Sequence, residues 1–280
     1  MDRSQRHEDI MFVCAASWPE IRKQVVMLLG GGGLASLERG VTLLAEAEFR
    51  DRIPDSDELP DHVWARLRRM NHPLGWLPPR RAAVEHGLSV WNYSPDGTGG
   101  RSMPAPGPVR GLEHGPPAEH DGVEPSGDEA GAAFESITKR SNGRAEATAF
   151  RLKSPAKASL ELIASIGRDF VPLKGAATGH IIGGADALHA VMDIAINGGA
   201  YDHGAGAALG RLGAWRTVRW LTTADPDSTF EEVCQLVDAC TWVRLNTDSK
   251  WFDNVAWDGA FACLGADGRR LAVVAWTDTD

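Results

Sequence analysis

Between Asn197 and Trp215 the chain reads N-G-G-A-Y-D-H-G-A-G-A-A-L-G-R-L-G-A-W, six glycines laid over an apolar rhythm of helical period. Glycine inside a helix costs about 1 kcal/mol relative to alanine, so several in one helix require a compensating gain. Close approach of another backbone supplies that gain through dispersion contacts that β-carbons would prevent. The run therefore predicts a buried rod from about Tyr201 to Leu221, with Gly206, Gly210 and Gly213 against a neighbour and the final pair of strands laid on it.

The first eighty residues read as helices. Ser17 and Glu20 have capping-box spacing. Ile21, Val25, Leu28 and Leu29 follow at i, i+4, i+7 and i+8, one helix face stopped by Gly30 to Gly33. Leu34, Leu37, Val41 and Leu44 form a second stripe, and Asp61 caps a third helix carrying Val63, Trp64 and Leu67 inward. Residues 1–84 thus read as a small helical bundle, with the Pro-broken stretch 72–84 pinned by Leu74, Trp76 and Leu77. Residues 94–127 hold seven prolines, eight glycines and few large apolar groups, too little to repay the entropy of ordering, which predicts a flexible linker.

Residues 128–280 mix both periods. Asp128 precedes a helix with Phe134 and Ile137, residues 145–152 alternate as a strand, and Ser154-Pro155 open another helix with Leu160, Leu162 and Ile163. A helix carrying Leu188, Val191, Met192 and Ala195 ends at Gly198, and Ser228 with Glu231 frames a capping box. Residues 241–246 alternate, and apolar runs at 259–264 and 270–277 flank Ala266-Asp267-Gly268, a strong hairpin cue. The fold class is α+β: an N-terminal helical bundle, then helices packed on a mainly antiparallel sheet ending in a β-hairpin. Neither ordered part is strongly self-sufficient in apolar residues, which leaves one shared core open.

A net charge of −9 opposes a nucleic-acid partner, because phosphate binding requires concentrated Lys and Arg. The one basic cluster, Arg66, Arg68, Arg69, Arg80 and Arg81, is interrupted by prolines and reads as a solvated face. No apolar stretch approaches the ~18 residues of a membrane span, and the N-terminus has no apolar core of a signal peptide. Cys14, Cys234, Cys240 and Cys263 lack metal or redox spacing, which predicts buried reduced thiols and a cytoplasmic location.

Four blocks resemble an actinobacterial family, a domain of unknown function: N-H-P-L-G-W-L-P at 71–78, S-N-G-R-A-E-A-T-A-F-R-L at 141–152, the glycine-rich run extended to Arg216, and the final residues 251–280. The resemblance implies a bacterial source and an intact C-terminus. It implies no chemistry.

Candidate sites follow from residue types. A phosphate or carboxylate can rest on backbone N–H groups near Gly198 to Ala200, although no Walker lysine or dinucleotide glycine motif accompanies them. Tyr201, Asp202 and His203 stand at the start of the glycine-rich helix, and Arg211 lies two turns on, either facing one anion with His203 or pairing with the protein's own carboxylates. Trp251, Trp257 and Trp276 offer a groove wall or a core. Asp253, Asp258, Asp278 and Asp280 offer acid–base groups or strand-end aspartates. No metal site and no cofactor are expected: the histidines and cysteines lack a tetrahedral set, and no haem, flavin or nicotinamide signature is present.

Two functions compete. The first is a non-catalytic bacterial cytoplasmic protein that binds another protein or a small molecule. The alternative is a small-molecule enzyme with a cleft between the glycine-rich helix start and the C-terminal hairpin, lined by Tyr201, Asp202, His203, Arg211, Trp257 and Asp258.

Overall fold

The structure, a computed structural model, describes residues 3–93, 99–100, 110–124, 127–171, 177–200, 204–254 and 257–279. It contains two compact units: Met1–Pro104 with Ala205–Leu212, and Ala105–Gly204 with Gly213–Asp280. The fold class is α+β, with the N-terminal helices in the first unit and an antiparallel sheet in the second.

In the first unit, helices α1 (Arg3–Ala15), α2 (Trp18–Gly30) and α3 (Leu34–Phe49) pack together, followed by α4 (Asp61–Arg69). The Glu20 carboxylate accepts the Ser17 backbone N–H at 2.8 Å and starts α2. Ile21 and Val25 bury against α3, whose Leu37, Val41 and Leu44 are buried with Leu43, Ala47 and Phe49. Helix α1 carries no clear apolar stripe in sequence. It is held by Ile10, Val13 and Cys14 in the core and by buried Asp9, which accepts two guanidinium N–H groups of Arg39 on α3. The Pro-broken stretch forms a short 3-10 turn at Pro73–Trp76, with Leu74 and Leu77 buried. Strands β1 (Asn92–Tyr93) and β2 (Gly99–Gly100) pair antiparallel.

The second unit is built on a seven-stranded sheet. Its strands are β3 (Arg110–Gly111), β4 (His120–Glu124), β5 (Arg144–Leu152), β6 (Thr178–Ile182), β7 (Thr241–Asn246), β8 (Gly259–Leu264) and β9 (Arg270–Thr277). They lie in the order β3-β6-β7-β8-β9-β5-β4, and every pairing is antiparallel. Residues 110–111 and 120–124 fall inside the stretch expected as a linker, yet they pair with β6 and β5. Ladder hydrogen bonds hold them, a contribution that a count of apolar side chains does not register. The rest of 94–127 lies outside the described residues, apart from 99–100, 112–119 and 127.

The terminal hairpin is as expected, with register Leu264↔Leu271 and a loop in which the Gly268 N–H donates to the Gly265 carbonyl while Gly268 holds φ 67°. One sheet face, carrying Phe150, Val243, Ala262 and Val273, packs on α6 (Leu160–Ala164) and on Phe170. The opposite face carries Trp242, Phe261, Cys263 and Trp276, all buried; Trp276 stacks on Phe134 and Phe261 with ring centroids 5.1 and 5.6 Å away. Burial on both faces explains why β8 and β9 read as continuous apolar runs instead of alternating.

The remaining helices are α5 (Glu135–Arg140), α7 (Gly184–Asn197), α8 (Gly206–Leu221) and α9 (Phe230–Ala239). The capping box of α9 is Thr229 with Glu232, one residue beyond the Ser228–Glu231 pair expected: Thr229 donates its N–H to Glu232 at 2.7 Å. The α5 region opens with a 3-10 turn at Ala132–Phe134, where the sequence suggested one continuous helix from Asp128.

Helix α8 is the glycine-rich rod. It starts at Gly206, and residues 201–203 of the expected span lie outside the described residues. Ala207, Ala214, Trp215 and Val218 are fully buried. In the second unit, a β-carbon on Gly213 would stand 2.7 Å from the Ala132 carbonyl oxygen. The close neighbour there is the Ala132–Ala133 turn. The terminal hairpin meets α8 at its C-terminal end, where the Arg270 guanidinium donates to the Trp220 and Leu221 carbonyls at 3.0 and 3.1 Å. A cation there complements the helix dipole.

Candidate functional site

Helix starts carry unpaired N–H groups and attract anions. In the first unit, the Ala207 N–H at the start of α8 donates to Glu46 Oε1 at 2.6 Å. Glu46 sits on α3, fully buried, and forms an i,i+4 ion pair with Arg50. Burial is the largest influence and works against the Arg50 charge, but the Glu46 carboxylate and Cys14 together outweigh it and hold the guanidinium above its ordinary range. Gly206 is required here twice. Its φ is 74°, and a β-carbon would stand 2.6 Å from Glu46 Oε1.

The second seat lies in the second unit, at the Gly198–Ala200 turn that the sequence offered to a phosphate or carboxylate. The Ala200 N–H donates to Asp278 Oδ2 at 2.7 Å, and the Ser141 hydroxyl lies 2.8 Å from both Asp278 oxygens. Asp278 is fully buried, and any β-carbon on Gly199 would overlap its carboxylate. Among the described residues of the glycine-rich segment, both anion seats therefore hold carboxylates of the chain itself.

Of the six residues placed in the candidate pocket, Tyr201, Asp202 and His203 lie outside the described residues. Arg211 belongs to the first unit, Trp257 and Asp258 to the second. The Arg211 guanidinium grips Glu85 through two bonds of 2.6 Å and donates to the Pro78 and Arg80 carbonyls at 2.7 and 3.0 Å. Arg211 and Glu85 are 4% and 0% exposed, so this is a buried, bidentate pair. Trp257 is half-buried. Asp258 Oδ1 accepts the Thr277 hydroxyl at 2.5 Å, and Asp253 Oδ2 lies 3.2 Å from the same oxygen. Trp251 packs edge-on against Phe170 and Phe252, under the Arg144 guanidinium. Asp280 lies outside the described residues. Among the described residues, no three His, Cys, Asp or Glu side chains converge as a metal set. No helix among them is long and apolar enough to cross a membrane.

Sequence reasoning missed a feature of α2. Its inner face is Ile21 and Val25, but Pro19, Arg22, Lys23, Val26 and Met27 recur at i, i+3, i+4, i+7 and i+8 and form a second, outward stripe. Val26 and Met27 are 61% and 58% exposed. With Trp18 and Asp57, the stripe lines a shallow groove of about 460 Å³. Asp57 fixes one wall, accepting the Trp18 indole N–H at 2.5 Å with Arg22 3.6 Å away. The signal was available in sequence: Val26 and Met27 are apolar yet off the inner stripe.

No curated protein and no solved structure matches the chain. The family model described as "Family of unknown function (DUF6183)" matches residues 6–280, nearly the whole chain, and the chain belongs to that family.

Proposed function

We propose that this chain is a non-catalytic protein-binding protein of the bacterial cytoplasm, actinobacterial by its resemblance, and that the outward face of α2 receives an apolar segment of another protein flanked by carboxylates. The observation that carries the reading is the pair Val26 and Met27, exposed side by side on a regular helix next to a groove. Apolar side chains in such a position gain when a partner covers them. The rim decides the partner's chemistry: Lys23 and Arg22 lie on the same stripe and favour a negatively charged flank, on a chain whose net charge is −9. Four cysteines without disulfides support a reducing compartment.

Fluorescence anisotropy with labelled amphipathic peptides tests the reading. Glu-flanked apolar peptides are expected to bind more tightly than Lys-flanked or scrambled ones. Met27→Asp and Val26→Asp are expected to weaken binding at least about tenfold at an unchanged melting temperature. Binding that survives both substitutions, or no preference over scrambled peptide, overturns it. Self-association through the same face, seen by sedimentation and abolished by Met27→Asp, would assign the face to a second copy instead.

A further inference from the structure

Met27 lines the α2 groove with 58% of its surface exposed, whereas Met192 in α7 is fully buried. Met70, at the end of α4, is 45% exposed and lies outside the groove walls. These three thioethers differ in what an oxidant in solvent can reach, and in what a change there would touch. Met27 is reached with no opening of the fold, on the surface that carries the docking reading.

Met27 also has a specific neighbour. Lys23 lies four residues before it on the same outward stripe. Residues so spaced on a helix hold their β-carbons about 6 Å apart, which brings a long ammonium side chain within reach of a long thioether one. Among the described residues, no carboxylate pairs with the Lys23 ammonium. A thioether sulfur is a weak acceptor and leaves that cation to a partner. Oxidation turns the apolar side chain into a polar one, whose oxygen competes for the same cation.

We propose that Met27 is a reversible oxidation site that switches off docking on the outward face of α2. The inference rests on the docking reading above and adds its regulation. The Met27 sulfur attacks one oxygen of hydrogen peroxide. The S–O bond forms, the O–O bond breaks, and the departing hydroxyl takes the remaining proton and leaves as water. One thioether and one peroxide give one sulfoxide and one water, and the two electrons lost by sulfur reduce the peroxide. A methionine sulfoxide reductase reverses the change: two thiols give their hydrogens to the sulfoxide oxygen, which leaves as water, and close to a disulfide. The sulfoxide acts twice on one face. It sets a polar oxygen where a partner's apolar side chain would pack, and it draws off the Lys23 ammonium that favours a partner's carboxylates.

The test treats the full chain with hydrogen peroxide and then with dithiothreitol, which reverses disulfide formation and leaves sulfoxides in place. Peptide mapping is expected to find a gain of about 16 Da at Met27 before any at Met192. In the anisotropy assay, the oxidised chain is expected to bind the Glu-flanked peptide at least about tenfold more weakly than the reduced chain, with the preference over the Lys-flanked peptide lost. Methionine sulfoxide reductase with a thiol restores both. Each variant is then compared with itself before and after oxidation. The ratio of affinities should fall close to one in Met27→Leu and stay at least about tenfold in Met70→Leu. A reduced chain that binds no peptide overturns the docking reading and this inference with it. Equal binding by the reduced and oxidised chains, a loss that persists in Met27→Leu, or oxidation of Met192 ahead of Met27 overturns the inference alone.

Discussion

The Asp278 carboxylate accepts the backbone N–H of Ala200 at 2.7 Å across 78 positions of sequence, and so closes from inside the protein a turn that has the form of an anion seat. The residue that follows the last strand and the Gly198–Ala200 turn are tied by this side chain. Replacing it tests how much the tie contributes. Asp278→Ala leaves the Ala200 N–H and the Ser141 hydroxyl without their acceptor and is expected to lower stability by about 2–3 kcal/mol, read by urea unfolding. Asp278→Asn keeps one acceptor oxygen and should cost less.

The Arg211–Glu85 pair is buried on both sides, so breaking it strands a charge. Arg211→Ala or Glu85→Ala is each expected to cost about 3–5 kcal/mol, and the double variant less than the sum. Arg211→Lys should not restore stability, because an ammonium lacks the fork that holds both carboxylate oxygens and both carbonyls. A double-mutant cycle by denaturant unfolding reads all three.

Two glycine substitutions should change stability in opposite directions. Gly213→Ala gains helix propensity but drives a methyl to 2.7 Å from the Ala132 oxygen, and the overlap should win by about 1–3 kcal/mol. Gly30→Ala at the end of α2 meets nothing within 4 Å and should leave stability equal or raise it by up to about 1 kcal/mol. Thermal unfolding of the two variants side by side checks this.

The fold was readable where burial is one-sided or where turn residues punctuate. The stripes of α2 and α3, the strand at β5 and the hairpin β8–β9 all follow from period and from Asp267-Gly268. Helix α1 was not readable, because its place depends on Asp9 meeting Arg39, a pairing that sequence spacing does not encode. The strands β3 and β4 were hidden for a related reason: their ladder bonds use backbone, and residues such as Gly111 and Gly122 carry no pattern. At the site, Arg211 read correctly as a candidate for an internal ion pair, but only coordinates name Glu85. The carboxylates that fill the helix starts, Glu46 and Asp278, come from α3 and from beyond β9, far from the glycines in sequence.

His114 and Glu161 form an exposed pair, with His114 Nδ1 2.6 Å from Glu161 Oε1. The His114 hydrogen bond is the main cause that lowers the Glu161 carboxyl to about 2, aided by backbone N–H groups, and the same bond raises His114 above its usual 6.5. A raised histidine contributes below its unfolded value and loses that contribution as pH rises through its folded value. A lowered carboxylate contributes above its unfolded value and loses it as pH falls toward 2. The pair is therefore fully formed between about pH 4.5 and 6.5. Solvent screening keeps its stability effect small, so the proper readout is NMR titration of the His114 ring. Glu161→Gln should return the His114 pKa to the ordinary histidine range.

Both anion seats of the glycine-rich segment are filled by the chain's own carboxylates, and thermal unfolding in rising inorganic phosphate at constant ionic strength tests this most directly. The predicted result is a melting temperature with no saturable dependence on phosphate. A saturable rise, the mark of a ligand bound to the folded state, would show that an outside anion takes the place of Asp278 or Glu46 and would contradict it.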